Sequence, residues 1–156
     1  MSKCPRSGSR RRSLGFSLLE ILIATAIMAI LAMVALPSYR QTIEKSRRTD
    51  AINALQNLHL AQERFRANCW TYATTLGGSD LCDTGTPTYR VEVASTSPEG
   101  YYAIAILAGA NGTGFVATAD PAGTAQASDA CGVFAVDQDG PITDNASYAG
   151  DRCWAK

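Results

Sequence analysis

Between Arg10 and Leu36 the chain reads RRRSLGFSLLEILIATAIMAILAMVAL, and the 21 residues from Phe16 to Leu36 are broken only by Ser17, Glu20 and Thr25. A helix rises about 1.5 Å per residue, so a run of about 20 apolar residues crosses the hydrocarbon core of a bilayer. A buried helix of a soluble domain can be as apolar, but it rarely starts behind three arginines. The membrane reading therefore frames everything downstream.

Glu20 is the anomaly in this run. An acidic residue at mid-membrane costs on the order of 3 kcal/mol on insertion scales, and less near an end. One reading places it a turn inside the helix, where the macrodipole favours an anion and headgroups are close. The other keeps it for a cationic partner. Helix physics leaves both open.

Gly15-Phe16-Ser17-Leu18-Leu19-Glu20, behind a short basic leader and ahead of an unbroken apolar helix, resembles the type IV prepilin signature. The resemblance implies that a prepilin peptidase of the membrane cuts between Gly15 and Phe16 and that Phe16 becomes N-methylated. It also implies that Glu20 pairs with the terminal amine of Phe16 in a neighbouring subunit during assembly. In a staggered stack of helices each ion would neutralise the other in a low-dielectric core.

Charge is balanced overall, 14 basic against 14 acidic residues, but unevenly spread. Lys3, Arg6, Arg10, Arg11 and Arg12 all precede Gly15, and beyond Arg66 only Arg90, Arg152 and Lys156 face ten carboxylates. An acidic head lacks the basic footprint of a phosphate-binding surface, which weighs against direct nucleic-acid binding. Topology by charge is equivocal, because Arg40, Lys45, Arg47 and Arg48 lie on the far side of the span.

Cysteine decides the topology. Cys4 lies in the leader, and its removal leaves Cys69, Cys82, Cys131 and Cys153, an even set suited to disulfides in an oxidising compartment. The C-terminal region is thus expected outside the cytoplasm. Zinc is the competing use of four cysteines, but no C-x₂-C spacing occurs and His59 is the only histidine. Four cysteines allow three connectivities. The preferred one, Cys69–Cys82 with Cys131–Cys153, closes two short loops worth about 3 kcal/mol each in the chain-entropy model.

Four regions follow: a cleaved leader over 1–15, a membrane or filament-core helix over 16–36, an amphipathic half of the same helix over 37–68, and a globular head over 69–156. Pro37 removes one backbone hydrogen bond and should kink or loosen the helix near Met33 to Leu36. Periodicity then resumes, with Ala51, Ala54, Leu55, Leu58, Ala61 and Phe65 on one face and Asp50 at its edge. Leu60 falls away from that face, either as a contact for a neighbouring subunit or as an ordinary exposed leucine, and the second is the simpler reading. His59 reads as a helix-surface residue.

The segment from Cys69 to Pro87 reads as a stapled loop. Strand candidates follow at 89–93, 101–107, 115–119 and 132–136, separated by Gly, Pro, Asn and Asp breaks, the second apolar enough for a central strand. The expected fold class is α+β: a long N-terminal helix packed on a roughly four-stranded antiparallel sheet with disulfide-closed loops, the type IV pilin fold that the resemblance implies. The stretches Tyr39–Arg48 (YRQTIEKSRR) and Asp129–Gly140, with Cys153-Trp154, resemble PilE-type minor pilins.

No catalytic constellation stands out, since nucleophile–base schemes need a histidine or a placed lysine and the chain beyond residue 66 has only Lys156. No phosphate-cradling or dinucleotide motif occurs, and no cofactor is expected. Asp137-Gln138-Asp139-Gly140 faintly suggests a calcium loop, but it lacks the length and final acid of an EF-hand and reads better as a hairpin turn. Asn111-Gly112-Thr113 and Asn145-Ala146-Ser147 match the glycosylation tripeptide, which is frequent by chance.

The expectation is therefore a structural subunit and not an enzyme. By resemblance it is a minor type IV pilin, resident in the inner membrane and then in an extracellular filament. Its partners would be other pilin subunits, the prepilin peptidase and the inner-membrane pilus assembly machinery, serving biogenesis, twitching motility, adhesion or DNA uptake. A type II secretion pseudopilin is the near alternative. A membrane-tethered binding module outside the cytoplasm is the one from a different class.

Overall fold

The computed structural model describes residues 16–78, 81–82, 89–107, 109–124 and 126–155. The chain divides into two units, Met1–Arg40 and Gln41–Lys156, and helix α1 (Leu18–Cys69) contributes to both.

In the first unit α1 is built from alanine, leucine, isoleucine and methionine, which favour or tolerate helix. Its opening bond runs from the Ile21 N–H to the Ser17 carbonyl at 3.2 Å. Thr25 is tolerated in the apolar run because its hydroxyl turns back onto the Ile21 and Leu22 carbonyls, at 2.9 and 3.0 Å. The helix continues through Pro37, which has no N–H to give the preceding turn. Every residue from Phe16 to Thr42 is exposed. Among the described residues, α1 is the helix long and apolar enough to cross a membrane.

In the second unit α1 turns one face inward. Ala51, Ile52, Ala54, Leu55, Leu58, Ala61 and Phe65 are buried at spacings of three and four, with Asp50 and Gln62 beside them. The alanines let strands come close, while Leu55, Leu58 and Phe65 supply bulk, each worth about 1.5–3 kcal/mol when fully buried. They meet a four-stranded antiparallel sheet made of β4 (Tyr102–Ile106), β5 (Val116–Pro121), β6 (Phe134–Asp137) and β7 (Gly140–Pro141), ordered β4-β5-β6-β7. Register pairs Ile104 with Ala119, Ala119 with Phe134, and Val136 with Pro141. Phe134 stands at the centre of this core, edge-on to Tyr102 at 6.0 Å and to Trp154 at 5.3 Å. Trp154 belongs to the short helix α2 (Asp151–Trp154).

The helix-on-antiparallel-sheet architecture is the expected α+β fold, with three differences in the strands. First, Tyr89–Val91 joins a separate three-stranded sheet as β3, parallel to β1 (Thr75–Leu76) and antiparallel to β2 (Leu81–Cys82). The stretch expected as a stapled loop thus contains β1 and β2 as well as irregular chain. Second, the strand expected to be central, over 101–107, is an edge strand of its sheet. Its Ala103 and Ala105 face water while Tyr102 and Ile104 are buried, so it needs a partner on one face alone. The interior position goes to β5, whose Ala117, Thr118 and Ala119 are buried in succession. Third, the other outer strand of this sheet is Gly140–Pro141, where a break was expected; proline is tolerated there because an outer strand need not donate to a further neighbour.

Candidate assembly helix and head surface

The structure divides the candidate residues between the two units. Gly15 lies outside the described residues. Phe16 is 79 % exposed, and Glu20 is exposed in the first turn of α1, among the apolar side chains of Leu18, Leu19, Leu22 and Ile23. An apolar surface that continuous needs lipid or other apolar helices around it. Glu20 is then the one formal charge between Phe16 and Tyr39.

The head is fastened to α1 by polar contacts as well as by its core. Gln62 is fully buried, and its amide pairs with both backbone groups of Ala73: Nε2 donates to the carbonyl at 3.0 Å, and Oε1 accepts the N–H at 2.8 Å. The loop leaving the helix is thereby hydrogen-bonded as a strand would be. Arg48 reaches from α1 to Asp129, with Nε donating to Oδ2 at 2.8 Å and Oδ1 at 3.1 Å, and Nη2 also donating to Oδ1. Asp129 further accepts from Gln126 Nε2 at 2.6 Å and from the Cys131 N–H at 3.1 Å. Burial pushes the Asp129 carboxyl up, but Arg48 and those other donors outweigh it and hold it below the usual carboxylate range. The hydrogen bond to Asp129 in turn raises Arg48.

Near the other end of the helical face, Tyr72 donates its hydroxyl to Glu63 at 2.9 Å and accepts from Arg66 Nη1 at 2.8 Å, and the Arg66 guanidinium lies 4.9 Å over its ring. Burial is the main cause of the raised Tyr72 pKa. Tyr102, in the core, is pushed up to about 12, chiefly by burial.

Cys69 is bonded to Cys82 and Cys131 to Cys153, with Cα separations of 5.6 and 5.7 Å. The first closes the chain leaving α1, and the second pins α2 to the loop before β6. His59 is half-buried against Phe115, with Nε2 at 3.3 Å from the Gln138 carbonyl oxygen, so it packs α1 onto the β6–β7 turn. Leu60 is exposed. Asp137 caps the turn, its Oδ1 accepting the N–H of Asp139 at 2.8 Å and of Gly140 at 3.0 Å.

Sequence reasoning did not single out Arg48, Asp129, Gln62 or Trp70. A glutamine within an apolar stripe was the available signal for Gln62; the Arg48–Asp129 pair spans 81 positions and had none.

Residues 37–135 match the family described as "Type IV minor pilin ComP, DNA uptake sequence receptor", and residues 10–36 match the "Prokaryotic N-terminal methylation motif". The chain is 37% identical to the type IV major pilin protein PilA of Myxococcus xanthus over 54 residues, 35% of this chain and 24% of that protein. It is 30% identical over 96 residues to the type II secretion system core protein G of Pectobacterium carotovorum subsp. carotovorum, 62% of this chain and 60% of the relative. It is also 30% identical over 92 residues to the core protein G of Aeromonas hydrophila, 59% and 64%. The chain thus spans between about a quarter and just under two thirds of these relatives. With its α+β architecture and with a match that takes in the amphipathic helix and most of the head, this chain belongs to the ComP family of type IV minor pilins.

Proposed function

We propose that the chain is processed between Gly15 and Phe16, methylated at Phe16, and carried by its apolar helix in the inner membrane with the head outside the cytoplasm. From there it joins, or primes, an extracellular filament of pilin subunits. The prepilin peptidase and the inner-membrane assembly machinery are its partners in that sequence. The observation that carries this reading is the unburied apolar face from Phe16 to Leu36 with a single acid, Glu20, inside it. Packed among like helices, that carboxylate has a fitting partner in the free amine of a neighbour's Phe16. Pro37 supplies a weak point in the helix where the filament-core part can loosen.

The test is Glu20→Ala. The variant should still insert, because removing an acid eases insertion, but it should enter filaments poorly. Incorporation at the level of the parent would remove the ion pair from the account.

A second layer of function comes from the family description. A DNA uptake sequence receptor contacts DNA, and the match covers most of this head. We carry that contact to this chain as a local one, because ten carboxylates beyond Arg66 leave no room for a broad basic footprint. A pseudopilin role, suggested by the two core protein G relatives, would gain from a calcium requirement for head stability.

A further inference from the structure

Trp70 is the residue whose presence the fold does not explain. It follows the last residue of α1 and has φ 59°, the only non-glycine among the described residues with positive φ. That left-handed conformation is natural to glycine and unfavourable for a side chain with a Cβ. Trp70 recovers nothing by packing, since it is 91 % exposed. The contrast with Trp154 is direct: that ring is half-buried, lies edge-on to Phe134 and donates its Nε1–H to the Ala149 carbonyl at 3.1 Å.

The strained turn is held from both sides. The Trp70 N–H donates to the Arg66 carbonyl at 3.0 Å, Cys69 is tied to Cys82, and the Tyr72 N–H donates to the Asn111 carbonyl at 3.1 Å. A fixed backbone therefore presents a large aromatic to solvent, an arrangement typical of ligand-facing positions. Trp70 shares a shallow hollow with Glu63, Arg66 and Ala67. Arg66 is exposed and uses Nη1 on Tyr72, so its other N–H groups remain available for an incoming anion. The Glu63 carboxylate accepts from the Tyr72 hydroxyl. A ligand entering here meets an open π-face with a guanidinium beside it, in a head that is otherwise acidic.

We propose that Trp70 and Arg66 form the DNA contact of this head, a base stacking on the indole while the guanidinium takes a neighbouring phosphate. The inference rests on the DNA-receptor reading above and deepens it. It also reconciles that reading with the charge of the head: stacking on an aromatic tolerates a modest positive field, whereas phosphate-led binding does not.

The experiment uses the full chain in detergent and titrates it into a labelled single-stranded oligonucleotide and its duplex at low salt, reading anisotropy. The parent should bind, and the single strand, with open base faces, more tightly. Trp70→Gly should weaken single-strand binding about tenfold or more, while its thermal midpoint stays level or rises, because glycine adopts this φ freely. Trp70→Phe should keep most of the affinity. Arg66→Gln should flatten the dependence of log affinity on log salt by roughly 0.7, one phosphate on a single strand. If the parent binds and Trp70→Gly binds equally well, the Trp70 assignment is wrong and the DNA-receptor reading survives. If the parent does not bind either probe, both fall and the filament-subunit reading stands. Quenching of the Trp70 indole by a soluble polysaccharide but not by DNA also overturns the proposal.

Discussion

Replacing Asp129 by alanine should undo one corner of the head. The Asp129 side chain is fully buried and that of Arg48 is 22 % exposed. The substitution strands a largely buried guanidinium and leaves the Gln126 amide and the Cys131 N–H without their acceptor. Breaking a buried pair from one side costs about 3–5 kcal/mol. For a unit of this size, about 4 °C of melting temperature per kcal/mol translates that into a drop of roughly 12–20 °C. The assay is circular dichroism melting of the full chain at neutral pH with disulfides intact. A control sharpens it: Arg48→Met with Asp129→Leu removes both charges. It should recover the part of the loss due to the stranded guanidinium, leaving the part due to the unmet Gln126 and Cys131 donors. The parent also has an acid limb to compare. Because the folded pKa of Asp129 lies below its ordinary 3.8, its contribution is full above that value and fades as pH falls through the folded one. Asp129→Ala should lack that part of the acid limb. A loss under about 1 kcal/mol, the range of exposed pairs, would refute the claim that this contact holds α1 to the loop before β6.

Gln62→Ala should destabilise by about 2–4 kcal/mol in the same melts, because both backbone groups of Ala73 lose their partner in a buried site. Cys131→Ser should cost about 3 kcal/mol for a 22-residue separation and loosen α2, read as increased solvent exposure of Trp154 by fluorescence. Exchanging residues 16–36 for an unrelated membrane span should abolish filament incorporation while leaving membrane insertion intact; a chain that still functions after the exchange is a tether and not a subunit.

What could be read without coordinates was whatever lies in local pattern. The apolar run and the inward stripe from Ala51 to Phe65 each occupy a few consecutive turns, so periodicity and spacing reveal them, while the Gly15–Glu20 signature is visible through its resemblance to prepilins. The strand candidates at 101–107, 115–119 and 132–136 were visible for the same reason, within one to two residues at most ends. Sheet order was not visible. The edge position of β4 depends on which partners reach it across intervening loops, and a two-residue strand such as Gly140–Pro141 carries no period. The Arg48–Asp129 pair and the Gln62–Ala73 bridge are long-range or side-chain-to-backbone contacts that no propensity encodes. Trp70 was illegible for a further reason: its exposure and its positive φ contradict what its residue type favours, and such conflicts surface where function overrides folding.

The central claim is that the processed chain begins at Phe16 and assembles through the amine exposed there. Intact and peptide mass analysis of the chain recovered from the membrane fraction tests it most directly. The account predicts a polypeptide that starts at Phe16, carries one added methyl group on that residue, and leaves Cys69, Cys82, Cys131 and Cys153 unreactive to alkylation until reduced. A chain that retains residues 1–15, or starts at any other position, contradicts it.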